Sequence, residues 1–214
     1  MNNYIVIDLE MCNVPQSKRE KYKCANEIIE IGAVLLNNSF QIIDEFKTFV
    51  SPEYGRIDQY IEKLTGIRNQ DTACAPKLKE ALDMLFDWLP DGIVMVAWSD
   101  NDAYQLGTET RRKGIKSEKL DLLLENALDC QAMFGERMNS PKTYRLSEAL
   151  IITGTAYDEG AHDALVDARN TALLFEKIMN DDEFTLSPYY TNNDYNTSAY
   201  CPFADLLANF NITA

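Results

Sequence analysis

Residues 4–7, Tyr-Ile-Val-Ile, form an unbroken apolar run rich in β-branched side chains. That pattern predicts a strand buried on both faces. Residues 13–26 are polar, with Pro15 and several lysines, and read as a loop. The apolar run at 27–36 predicts a second strand, stopped by Asn37-Asn38. Residues 40–50 alternate weakly and predict a third, in a hairpin with the second. Pro52 and Gly55 mark a turn, and 57–64 suggests a short helix ending at Thr65-Gly66. In 75–89, Leu78, Leu82, Leu85, Phe86 and Leu89 recur at helical spacing, and Pro90-Asp91-Gly92 ends the helix. A fourth buried strand follows at 93–98. The next helix spans 101–113, with Ser99 or Asp100 as cap and Gly114 after its end. Residues 120–128 read as a helix leading into a short strand near Asp129-Cys130, and 146–152 as another short helix. The clearest helical stripe is 163–179, carried by Ala164, Ala168, Phe175 and Met179.

A strand-rich start followed by alternating strands and helices predicts an α/β fold, a mixed sheet with helices on both faces. Near residue 181 the composition turns to Asn, Tyr, Ser and Thr. We therefore expect a domain at 1–180 and a C-terminal appendage at 181–214. Within the appendage, 203–210 could form a short amphipathic helix. Its many aromatics would pack on the domain or on a partner, including a second copy of the chain.

Charge changes the picture. The 214 residues carry a net charge of −14. Bulk electrostatic coating of nucleic acid is thereby disfavoured. An acidic cluster that binds cations would still attract phosphate locally. Basic residues gather at Arg111-Arg112-Lys113 and between Lys116 and Lys119, where a solvated helix end is the simpler reading. Five scattered cysteines without a C-x-x-C pair argue against a disulfide framework or a zinc site, and suit a reducing cytoplasm. No apolar run is long enough to span a bilayer.

Asp8 and Glu10 lie at the end of the first apolar run. Side chains at i and i+2 of a strand share a face. Two neighbouring carboxylates there repel each other and lose hydration unless a cation sits between them. An exposed polar strand end is the alternative. Asp102 follows the fourth strand at a helix start, where an acid could equally offset the helix dipole. Asp100 competes for the same role. His162 is the only histidine and precedes the strongest helix, with Asp167 five residues on. Histidine suits proton transfer near neutrality. A histidine at a helix start is also often a cap or surface residue.

Together, Asp8-Leu9-Glu10, Asp102, and His162-Asp163-Ala164-Leu165-Val166-Asp167-Ala168 resemble the three motifs of the DEDDh exonuclease superfamily. Its third motif, H-x-A-x-x-D-A, is matched at each fixed position. Residues 27–33, Glu-Ile-Ile-Glu-Ile-Gly-Ala, resemble the family's second strand, and Leu64-Thr65-Gly66-Ile67 its (L/N)-x-G-I segment. Trp98-Ser99-Asp100-Asn101-Asp102 is similar to the W-G-x-x-D of the Eri/KapD-like branch, with Ser for Gly, and selects Asp102 over Asp100. The resemblance to oligoribonuclease is weaker, since Cys12-Asn13 replaces its T-G.

This resemblance covers about 4–179. It implies a ribonuclease-H-like sheet of five strands, the second antiparallel. It implies that Asp8, Glu10, Asp102 and Asp167 hold two divalent cations, Mg²⁺ or Mn²⁺ rather than zinc given the oxygen ligands. His162 would act as general base. Leu9, Met11 and Leu64 would lie beside the 3′ nucleotide. The implied function is 3′→5′ hydrolysis of single-stranded nucleic acid or 3′ overhangs, with RNA slightly favoured. A DNA-directed exonuclease and a silent binding module of the same fold are the alternatives.

Overall fold

The computed structural model describes residues 3–158, 160, 162–188 and 190. Five strands form one sheet in the order β3-β2-β1-β4-β5. The central strand β1 (Asn3–Asn13) pairs antiparallel with β2 (Asn26–Leu36) and parallel with β4 (Ile93–Ala97). β3 (Ile42–Phe49) forms the antiparallel edge, and β5 (Leu128–Asp129) pairs parallel with β4. This is the predicted mixed sheet, with β2 antiparallel to its neighbours.

Helices cover both faces. After β1 comes α1 (Gln16–Tyr22). Between β3 and β4 lie α2 (Gln59–Thr65), α3 (Asn69–Thr72) and α4 (Leu78–Trp88). After β4 follow α5 (Asp100–Lys113) and α6 (Glu118–Glu125). After β5 come α7 (Cys130–Arg137), α8 (Leu146–Thr153) and α9 (Ala164–Asn180). Alternate residues of β1 feed two cores. Ile5, Ile7 and Leu9 join Leu78, Leu82 and Leu85 of α4 on one face. Val6 joins Ala168, Ala172 and Phe175 of α9 on the other.

Several expectations need correction. Residues 13–26 are not all loop. α1 forms there because Tyr22 is buried and stacks on Tyr54, ring centroids 4.2 Å apart. One buried residue in a seven-residue helix leaves no periodicity to read. The first strand does not stop at Glu10 but continues to Asn13. Its extension is covered by a small core of Cys12, Ile29, Ile57, Ile61 and Ile67. The register of β1 against β2 shifts between Glu10 and Met11. Such bulges bend a strand and re-aim its side chains.

Lys113 is not solvated either. Its side chain is 7% exposed and pairs with Glu27 and Glu109, both 0% exposed, and with Glu53, at 2.7 to 3.0 Å. Glu27 also accepts N–H bonds from Glu53, Tyr54 and Gly55. This buried network ties α5 to β2 and to the loop that leads to α2.

Packing continues past residue 180. Phe184 is buried against Phe134, and Leu186 and Tyr190 pack on the same core. Residues 191–214, including the expected helix at 203–210, lie outside the described residues. Among the described residues, no helix is long and apolar enough to cross a membrane.

Candidate active site

The site is built on a row across the sheet. Asp8 of β1 lies opposite Gly32 of β2, and Gly32 lies opposite Lys47 of β3. Gly32 has no side chain, and the start of α9 occupies that space. A Cβ at Gly32 would fall 2.2 Å from the backbone of Ala164 and Leu165. The helix start is therefore pressed onto the sheet beside Asp8 and Glu10. That places Asp167, in its first turn, near both.

The N-terminus of α9 is fastened by side chains. Asp163 caps it, its Oδ1 accepting from the N–H groups of Leu165 and Val166. Glu30 is buried opposite Glu10, and its Oε2 accepts the N–H of Ala164 at 3.0 Å. His162, just outside the helix, has φ of 69°, in the left-handed region that few residues adopt. Its N–H donates to Asp167 Oδ2 at 2.8 Å, which fixes this tight approach. One ligand atom from each of Glu10, His162 and Asp167 lies within 4.8 Å of the others.

Asp102 enters from α5. Ser99 caps that helix by accepting from the N–H of Asn101, and Asp102 follows in the first turn. Asp102 is buried and its carboxylate accepts the N–H of Leu9, whereas Asp100 is exposed. The Leu9 side chain lies in the core. Met11 is half-buried against that core, and Leu64 is partly exposed on α2.

The electrostatics follow from this crowding. Burial raises the Asp8 pKa well above the ordinary carboxylate range, and the charges of Asp102, Asp167, Glu10 and Glu30 raise it further. Burial, then Asp167 and Glu30, push Glu10 up to about 8. Burial pushes Asp102 up to about 7 against the bond from Leu9. Asp167 is raised mainly by burial, partly offset by the His162 N–H. These shifts mean that mutual repulsion and lost hydration oppose full ionisation of the cluster. A set of hard oxygen donors that cannot ionise freely together fits divalent cations, which would supply the missing positive charge.

The residues named from the sequence, Asp8, Glu10, Asp102, His162 and Asp167, are brought together in the structure. Sequence reasoning did not assign roles to Glu30, Gly32, Lys47 or Asp163. A signal existed for Glu30, a carboxylate inside the apolar run of β2. Lys47 sits on an edge strand of mixed charge, where a lysine has no distinguishing mark.

Comparison with known proteins gives the family. Residues 5–175 match the profile of the family described as Exonuclease, RNase_T. The chain is 32% identical over 201 residues to ERI1 exoribonuclease 2 of Danio rerio, covering 83% of this chain and 35% of that protein. The chain thus spans about a third of that relative's length. It is 28% identical over 190 residues to DNA polymerase III subunit epsilon of Aquifex aeolicus, covering 88% of this chain and 87% of that one. Among solved structures it resembles the nuclease domain of 3′hExo, a DEDDh family member, bound to rAMP. The TM-score is 0.71 at 22% identity, over 87% of this chain and 96% of that one, a likeness of fold. With the family profile matched over residues 5–175, most of the chain, it belongs to the exonuclease family, a family of phosphodiester hydrolases.

Proposed function

We propose that the chain is a divalent-cation-dependent 3′→5′ exonuclease that removes nucleoside monophosphates from single-stranded ends, RNA before DNA. The observation that carries this reading is the convergence of Glu10, Asp167 and the single histidine within 4.8 Å, beside two further buried carboxylates, Asp8 and Asp102. The RNA preference draws on the similarity to ERI1 exoribonuclease 2. The similarity to the polymerase epsilon subunit supports DNA as the second reading.

Asp8, Glu10, Asp102 and Asp167 would hold two cations, Mg²⁺ or Mn²⁺. Bound there, the cations would offset the charge of the scissile phosphate and of the leaving 3′ oxygen. The chain's own groups do the rest. His162 is exposed, so its imidazole can meet water and take a proton from it as the water attacks phosphorus. The bond from the His162 N–H to Asp167 sets the backbone from which that ring reaches out. The bond from the Leu9 N–H steadies the Asp102 carboxylate. Leu64, exposed on α2, would offer an apolar edge for the terminal base, and the backbone at Leu9 and Met11 would face the same nucleotide.

The test uses the full chain with Mg²⁺ or Mn²⁺ and 5′-labelled single strands of RNA and of DNA. Stepwise shortening from the 3′ end with release of mononucleotides is expected, faster on RNA. Asp8→Ala should abolish turnover. His162→Ala should slow it about 10²- to 10⁴-fold, the usual contribution of a positioned base, while cation binding persists. Turnover undiminished in chelator, or an endonucleolytic ladder, would overturn the reading.

A further inference from the structure

We infer that Lys47 is a positioning residue for this site, an ionic latch that seats the first turn of α9 against the sheet. The inference rests on the exonuclease reading above. Lys47 stands on the edge strand β3, directly opposite Gly32. Its Nζ lies 3.2 Å from Glu30 Oε1 and 2.5 Å from Asp163 Oδ2. Each of these acids uses its other oxygen on the helix start. Glu30 Oε2 holds the N–H of Ala164. Asp163 Oδ1 holds those of Leu165 and Val166. One ammonium group thus grips both acids that satisfy the unpaired N–H groups of this helix end.

The position of the latch matters more than its strength. Asp163 adjoins His162, and Asp167 lies one turn on. Any drift of the first turn moves the base and one cation ligand together. Displacements of about 1 Å can cost a reaction about 10²-fold. Lys47 has a second consequence. Glu30 lies among the acids that crowd Asp8 and Glu10. Among the described residues, the ion pairs bring a lysine or arginine to Glu30 and Asp163 only through Lys47. Removing the ammonium would leave a further buried carboxylate uncompensated at the cluster's edge.

Farther along α9 a different pair, Arg169 with Glu45 of β3, holds the helix independently. Its apolar face also stays in the core through Ala168, Ala172 and Phe175. Losing Lys47 therefore loosens the start of α9 without detaching it. A role confined to stability predicts a lower melting point and an unchanged kcat. The latch predicts a lower kcat, whether or not the melting point falls.

Lys47→Met keeps the alkyl stem and removes the charge. We expect kcat to fall at least about tenfold while KM moves less than about threefold, the signature of a group that acts on transition-state geometry. In metal-free protein, amides of Ala164, Leu165 and Val166 should exchange at least about tenfold faster, while those of β1 stay protected. Lys47→Arg should recover kcat to within about threefold. Asp163→Asn retains a capping oxygen but not the charge, and should reproduce the loss. The double variant should be no worse than either single one. The inference is overturned by a Lys47→Met kcat within about twofold of wild type, by unchanged amide exchange, or by a fully active Asp163→Asn. Should Lys47→Met fail to fold, Asp163→Asn alone decides. An inactive wild-type chain would sink the exonuclease reading, yet the amide exchange would still report on the latch.

Discussion

Glu10 and Asp102 illustrate how position changes the chemistry of an ordinary side chain. Both are carboxylates, yet burial and neighbouring charge raise them to about 8 and about 7. Their folded values exceed those of an unfolded chain, so the folded protein binds more protons between the two. Stability from these groups is full below the unfolded pKa and is lost as pH rises through the folded one. In chelator, melting temperature should therefore fall as pH climbs from about 5 to above 8. Millimolar Mg²⁺ or Mn²⁺ should reverse the fall, and raise melting temperature more at pH 8 than at pH 5, because binding requires the deprotonated ligands. Calorimetric scans across pH with and without cation measure both. A melting temperature that is flat in chelator would show that the acids do not share a common pocket.

Among the elements, the contact of α9 with β2 is the one on which the arrangement turns. It depends on a missing methyl group. Gly32→Ala would place a carbon 2.2 Å from the Ala164 and Leu165 backbone, which is rigid and cannot swing aside. Overpacking of this kind costs about 1–3 kcal/mol. The helix start must lift, so activity should fall well beyond what the lost stability explains. Denaturant melts paired with kcat measurements check this, and a variant with wild-type kcat would refute it. The same contact shows what the sequence could and could not reveal. β2 and β4 were legible because each is an apolar run of the right length between clear stops, and β1 was legible from its apolar start but not at its end. α4, α5 and α9 were legible from their spacing and from the caps Ser99, Gly114 and Asp163. The helices α1, α3 and α7 were not: α1 and α3 each bury a single residue, and α7 begins inside what reads as a short strand near Asp129-Cys130. The five residues that converge were named through their resemblance to family motifs, which alone chose Asp102 over Asp100. Their support, Gly32, Glu30 and Lys47, was hidden because it depends on which strands become neighbours, and cross-strand register is not written in local pattern. Lys113 was misread for the same reason, since its acids Glu27 and Glu53 come from distant segments.

At the scale of the whole molecule, the net charge of −14 sets the terms on which a polyanion approaches. Few phosphates can be met by lysine or arginine, so few counterions are released on binding. The salt dependence of kcat/KM on single strands should accordingly be shallow, with a log–log slope of magnitude below about 2. Rates measured between about 50 and 200 mM potassium chloride at saturating cation would test it. A steep slope would reveal a basic track that the charge balance conceals.

Asp8 and Glu10 come from β1 and Asp167 from α9, which completes the pocket by lying down on β2. A chain ending before α9 would keep Asp8, Glu10 and Asp102 but lack Asp167, so the full set of acids depends on that helix lying against β2.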